Sequence, residues 1–216
     1  MLNLENWVLG SFLKLRSYLP GILMDNKKNK SVLHFLLSRR SNSARTLVKP
    51  SPDKPSIQKI LTAAARTPDH GKLVPWRFLV LENMVMPKIA SKILEVGVSR
   101  GVDPDKLRKS ADTFLNAPLI VTVVSSPNSN HRIPVIEQQL SAGAVCVGLL
   151  NAAQAEGWGA NWLTGWMAHD RLFLSEALCL CKNELVAGFI HIGTKTSEPF
   201  ERERPDINNI TSWLEL

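Results

Sequence analysis

The stretch IEQQLSAGAVCVGLLNAAQAEGWGANWLTG, residues 136–165, decides how this chain is read. Ile136 to Ala155 predicts one long helix. Within it Ala142, Gly143, Ala144 and Gly148 are too small to fill a core alone. They suit a helix that another backbone approaches closely, as at a dimer axis or around a planar ligand. The segment that follows, Gly159 to Thr164, carries Trp162 and is flanked by Gly157, Gly159 and Gly165. Such glycine density lets a backbone lie against a flat ligand.

Outward from this stretch, three segments have the compact β-branched and aromatic character of buried strands: Trp76 to Leu81, Leu119 to Val124 and Val186 to Ile192. Helices are expected over Met84 to Val98, Asp105 to Leu115 and Leu172 to Leu180. Nearer the start, Ser31 can cap a helix through Val32, Leu33, Phe35, Leu36 and Leu37 that ends at Arg39-Arg40-Ser41. A loop broken by Pro50, Pro52 and Pro55 follows. Ile57, Ile60, Leu61 and Ala64 then mark a second helix, stopped by Pro68 in Thr67-Pro68-Asp69-His70-Gly71. This order is not an alternating βαβ series, so the expected class is α+β. There is no G-x-G-x-x-G after a strand and no G-x-x-x-x-G-K-[ST], which argues against a dinucleotide Rossmann unit and a P-loop.

A chain of 216 residues with 44% hydrophobic content can bury a full core as one domain. Its formal charge of +7 is confined to residues 1–50, where nine Lys/Arg face only Glu5 and Asp25. A neutral body with a basic leader does not resemble a nucleic-acid-binding domain, so no nucleic-acid partner is expected. Residues 26–30 read as a polar linker, dividing an N-terminal extension (1–30) from a globular body (31–216). In the extension, Leu4, Val8, Phe12, Leu15 and Leu19 recur at helical spacing with Lys14 and Arg16 opposite. That permits a helix lying on a membrane surface, but the favoured reading is an appendage on the body or an overlong start. No apolar run spans a membrane and no secretory signal is evident, so a cytoplasmic protein is expected. Cys146, Cys179 and Cys181 are too few for a disulfide framework, and no second pair turns the C-x-C into a zinc site; they read as reduced, buried thiols.

Three groups in the first third of the body, Arg39-Arg40-Ser41, Arg66-Thr67-Pro68-Asp69-His70 and Pro75-Trp76-Arg77-Phe78, resemble the nitroreductase family, and most closely its small R-R-S, R-x-P-D-H type. Glu137-Gln138 with Ser141-Ala142-Gly143-Ala144, then Gly157-x-Gly159-x-x-Trp162, then Gly188-Phe189-x-x-x-Gly193-Thr194, continue the resemblance in order over about residues 32–213. No single motif is specific; the ordered succession is.

The resemblance implies a central, mostly antiparallel sheet surrounded by helices in an intertwined homodimer. It further implies FMN at the subunit interface, NAD(P)H as reductant, and a nitroaromatic, quinone or enone as electron acceptor in a ping-pong reaction. The flavin performs the chemistry, so no catalytic side chain and no metal are expected. Arg39, Arg40 and Ser41 would hold the flavin phosphate, by guanidinium fork and hydroxyl. Arg66 and His70 would come from the other subunit, and Trp162, Leu163 and Thr164 would lie beside the ring. Ala152 matches a nicotinamide position, and Arg204 resembles a late basic residue that reaches the phosphate. Leu163 stands where close relatives have Arg, which leaves room for an alternative: a flavin-binding or flavin-processing protein of the same fold without general reductase activity.

Overall fold

A computed structural model describes residues 29–215, so the expected leader helix lies outside the described residues. The chain divides into two units, residues 1–38 and 39–216. In the first, helix α1 spans Lys30–Ser38 and buries none of its residues. Its cap is Asn29 rather than Ser31: the Asn29 carboxamide oxygen accepts from the Val32 amide at 3.2 Å and from the Ser31 hydroxyl at 2.7 Å. A carboxamide reaches the N3 amide from outside the helix, which Ser31, already inside it, cannot do.

The second unit is organised by one strand. Of strands β1 (Leu47–Val48), β2 (Trp76–Leu81), β3 (Leu119–Ser125), β4 (Gly159–Leu163) and β5 (Leu185–Lys195), the last pairs with three others. β3 lies along one edge of β5, and β4 and β1 share the other edge at successive positions; β2 pairs with β3, and every pairing is antiparallel. All seven residues of β3 are buried. A strand covered on both faces needs apolar side chains on both, which Leu119, Val121 and Val123 supply to one side and Ile120 and Val124 to the other.

Helices cover both faces accordingly. Helices α3 (Met86–Ser99), α4 (Pro104–Leu115) and α6 (Arg171–Leu178) pack on the Ile120 side, α2 (Lys54–Ala64) and α5 (Val135–Ala155) on the other. The helix starts are well specified. Asp53, Asp103 and Asp170 each accept an amide of the first turn, and proline enters the first turn of α2 and α4. Thus Pro55, expected to break a loop, instead opens α2. Strands β1 and β4 were not expected as strands. β1 has only two residues, and β4 begins at Gly159, where an added Cβ would strike the Leu47 side chain at 2.5 Å. Glycine there is a packing requirement, not a sign of loop.

An ion pair between half-exposed Arg77 and buried Glu184 ties β2 to the start of β5. Arg77 donates from Nε and Nη2 to the two oxygens of Glu184 at 2.6 and 2.8 Å, and the Ser126 hydroxyl and the Cys181 amide also donate to that carboxylate. The Arg77 hydrogen bonds are the largest influence on Glu184 and hold its carboxyl at about 2, well below the usual range.

The largest fully buried side chains among the described residues are apolar except for His191. His191 of β5 is fully buried edge-on to Phe114, with ring centroids 5.4 Å apart, and neither ring nitrogen has a hydrogen-bond partner among the described residues. Burial lowers its pKa from 6.5 to about 4. The folded state thus resists protonation, so the stability His191 allows above pH 6.5 drains away as pH falls through 6.5 toward 4. Between pH 7.5 and pH 5, chemical denaturation should show wild type losing about 2 kcal/mol more than His191→Leu, at fixed protein concentration.

Candidate functional site

Helix α5 carries most of the anchors of the candidate residues. At its C-terminal end, Gln154 takes hold of the Arg39 group: its Oε1 accepts from Arg39 Nε at 3.0 Å and its Nε2 donates to the Arg40 carbonyl at 2.5 Å. Arg39 Nη2 also donates to Ser41 Oγ at 3.2 Å. The Asn42 amide donates to the Ala160 carbonyl, which fastens the trio beside the start of β4. Arg40 and Arg204 both face Glu201, each with a nitrogen 3.4 Å from one carboxylate oxygen.

The charges here are not balanced by the body of the protein. Burial, and after it the like charge of Arg204, lower the Arg39 pKa. Three guanidiniums and a hydroxyl converge with one exposed carboxylate between two of them. Such a set favours a multiply charged anion, since arginine forks match carboxylate and phosphate oxygens and do not deprotonate. Arg39, Arg40, Ser41 and Arg204 are therefore brought together.

The Arg66 to His70 loop runs along α5 from Thr67, beside Gly148, to His70 near the start of the helix. Ser141 Oγ donates to the Pro68 carbonyl at 2.8 Å and accepts from the Trp76 indole N–H at 3.1 Å. One turn earlier, Glu137 Oε2 meets His70 Nδ1 at 2.7 Å. The Asp69 carboxylate accepts the Val74 amide at 2.7 Å. Gly71, Lys72 and Val74 all have positive φ, at 73°, 55° and 47°. For a β-branched valine that is a strained conformation of the kind concentrated at functional sites. The loop borders a cavity of about 320 Å³ lined by Pro68, Asp69, His70, Glu137, Leu140, Ser141 and Ala144. The Arg66 side chain is exposed and makes no hydrogen bond among the described residues.

Within one chain His70 and the Arg39 group do not meet. Glu137 and Gln154 are separated by nearly five helical turns, about 25 Å along α5. The third group lies on β4. The Trp162 indole N–H donates to the Ala187 carbonyl at 3.1 Å, and its ring covers Gly188 so closely that any Cβ there would overlap it. That side chain is committed to the sheet, which leaves the backbone of the segment to face outward. Leu163 is half-buried opposite Phe189, and Thr164 is exposed at a cavity of about 260 Å³ with Ser125, Gln139, Gly143, His169 and Leu185 to Ala187. Ala152 is half-buried against the core, its methyl occupied in packing.

Sequence reading missed Gln154, Glu137, Ser141 and Glu201 as supports. Glu137 and Ser141 were visible only as motif letters. Their partners, 67 and 73 residues away, give no local signal.

A family model described as the nitroreductase family matches residues 36–194. The chain is 33% identical over 162 residues to a protein of Escherichia coli (strain K12) that bears the provisional name NAD(P)H nitroreductase, covering 75% of this chain and 87% of that protein. Its fold is similar to the crystal structure of a nitroreductase-like family protein from Bacillus cereus, with TM-score 0.73, 22% identity, and 87% and 98% of the two chains covered. It is also similar to that of a provisionally named nitroreductase from Desulfovibrio desulfuricans in complex with FMN, with TM-score 0.67, 20% identity, and 86% and 98% covered.

Ser141 gives the site a sharp test. Ser141→Ala strands the buried Trp76 indole N–H and the Pro68 carbonyl. It should lower the unfolding free energy by about 1–3 kcal/mol in chemical denaturation. A variant as stable as wild type would show that the loop is held by other contacts.

Proposed function

Because the chain belongs to the nitroreductase family, we propose that it is an FMN-dependent oxidoreductase, a homodimer that passes electron pairs from NAD(P)H to a small acceptor. The observation that carries this reading is the cation set at Arg39, Arg40, Ser41 and Arg204, which fits a phosphate monoester. Its lining is too basic for a neutral ligand and carries donors on several sides. The complex with FMN of the D. desulfuricans relative supports the choice of flavin.

In this proposal Arg39 and Arg40 clamp the phosphate, Ser41 adds a hydroxyl donor, and Arg204 closes the set from the tail. Gln154 acts through Arg39 and the Arg40 carbonyl. By taking Nε it fixes the guanidinium plane, so that the far edge faces the ligand. The outward backbone of Trp162, Leu163 and Thr164 lies along the flavin ring, where amide donors tune its electronics. Arg66 and His70 reach the same flavin from the second copy. The Glu137 contact to His70 Nδ1 leaves Nε2 as the nitrogen that addresses the ligand. When bound, FMN supplies the hydride-accepting centre, and the protein's task is to position it, exclude water and admit two substrates in turn. That order is ping-pong, with a nitroaromatic, quinone or enone as the second substrate. The family domain in this reading is residues 31–216.

What α5 and the tail leave uncovered supports the dimer. Ile136, Leu140 and Val147 are 59%, 66% and 47% exposed on the α5 face that also carries Gly143 and Ala144. In the tail, Phe200, Ile207, Ile210, Trp213 and Leu214 are exposed as well. Apolar area of this extent marks a protein interface. The uncharged Leu163 favours a second reading, a flavin-binding protein without general reductase activity. Steady-state NAD(P)H oxidation with a nitroaromatic acceptor separates the two.

The decisive binding experiment compares flavins. Arg39→Ala should weaken FMN about ten- to a hundredfold, from the loss of a charge-assisted contact of about 1.5–3 kcal/mol, and leave riboflavin, which has no phosphate, nearly unchanged. Arg39→Lys should recover only part of the loss, since an ammonium keeps the charge without the fork. Equal weakening of both flavins would show that Arg39 does not hold the phosphate.

A further inference from the structure

The C-x-C at Cys179 and Cys181 is not buried as the sequence leads one to expect. Both thiols are free and exposed, whereas Cys146 is buried on α5. Leu180 between them is only 4% exposed, so the chain turns its apolar residue inward and presents a cysteine on either side of it.

The backbone around the pair is fixed. Cys179 closes α6 in the left-handed conformation, with φ 55° and ψ 36°, at the position where helices most often place glycine. Its amide and that of Leu180 both donate to the Leu174 carbonyl. The Cys181 amide donates to the buried Glu184 carboxylate at 2.9 Å. Arg171 donates to the carbonyls of Leu180, Cys181 and Glu184, at 3.4, 3.0 and 2.6 Å. Two α-carbons separated by one residue cannot be more than about 7 Å apart. With the backbone fixed, side-chain rotation is the ordering left for the two thiols to meet on one centre.

Two thiols do not make a zinc site, which takes four ligands, and no group of three His, Cys, Asp or Glu able to hold a metal occurs among the described residues. Soft, polarisable centres are different, since they select thiolate ligands and two suffice for low coordination. We propose that Cys179 and Cys181 form a two-thiolate clamp for a soft, thiophilic metal or metalloid centre. The clamp is independent of flavin chemistry. Closing it transfers no electrons: each thiol loses its proton as its sulfur bonds the centre. With phenylarsine oxide the arsenic–oxygen bond breaks, two arsenic–sulfur bonds form, and the oxygen leaves with both protons as water.

Phenylarsine oxide is therefore the probe, applied to the reduced full-length chain and read by intact mass and by counting remaining thiols. Wild type should take up one equivalent that survives excess monothiol and is released by a dithiol. Cys179→Ser and Cys181→Ser should each bind at least about a hundredfold more weakly, because each loses the chelate. Cys146→Ser should behave as wild type, since burial pushes the Cys146 thiol up to about 12 and keeps it unreactive. If Cys179→Ser fails to fold, Cys179→Gly, which the left-handed backbone accepts, replaces it. Wild-type adduct stripped by a monothiol, or undiminished binding in either single variant, would overturn the proposal.

Discussion

Every segment that matters to the candidate site is tied to helix α5 or to the strand it packs on. Glu137 and Ser141 hold the His70 loop near its start, and Gln154 holds the Arg39 group near its end. The row Ser141, Ala142, Val145, Leu149 and Ala153 is buried against the sheet, while Ile136, Leu140 and Val147 face outward. A helix apolar on more than one face is stable only with a second cover. Here that cover has a geometric consequence. The Arg39 and His70 groups lie about 25 Å apart on one chain. In the proposed homodimer, a two-fold axis crossing the middle of α5 would set the start of one copy beside the end of the other, and so join them.

The physics of the cation set explains why such an arrangement persists. Arg39 is partly desolvated beside Arg204, an unfavourable state for two like charges. Glu201 relieves it only in part, because its contacts are long and exposed. A dianionic phosphate relieves it fully. In the proposed function this unfavourable charge is the complement of the phosphate's, and Gln154, bonded to Arg39 and to the Arg40 carbonyl, holds the donors in place.

Much of this was legible in the chain itself. The three long strands and the four helices after Pro75 fall within a few residues of their expected places, because continuous β-branched runs and helical periods are local signals. The covered α5 and the small residues Gly143 and Ala144 were legible for the same reason. Strands β1 and β4 were not, since two residues of β1 and the glycine-led β4 owe their conformation to pairing with β5. The exposure of Cys179 and Cys181 escaped because it depends on a left-handed helix end, which a cysteine does not announce. Gln154 escaped because a glutamine on an apolar helix reads as surface, and only its contacts with Arg39 and Arg40 reveal its task. The role of the Trp162 indole was not legible either, since it serves the sheet by covering Gly188.

The central claim is that one flavin site is assembled from two chains, and mixed dimers test it most directly. An Arg39→Ala chain and a His70→Ala chain, each carrying a different affinity tag, are co-purified as the heterodimer and titrated with FMN. If each site takes Arg39 from one copy and His70 from the other, both lesions fall in the same site. Half the sites should then bind FMN with wild-type affinity, while the other half bind it more weakly than in either parent. If both groups serve a site within their own chain, each site carries one lesion. No site would then show wild-type affinity, and that result would contradict the account.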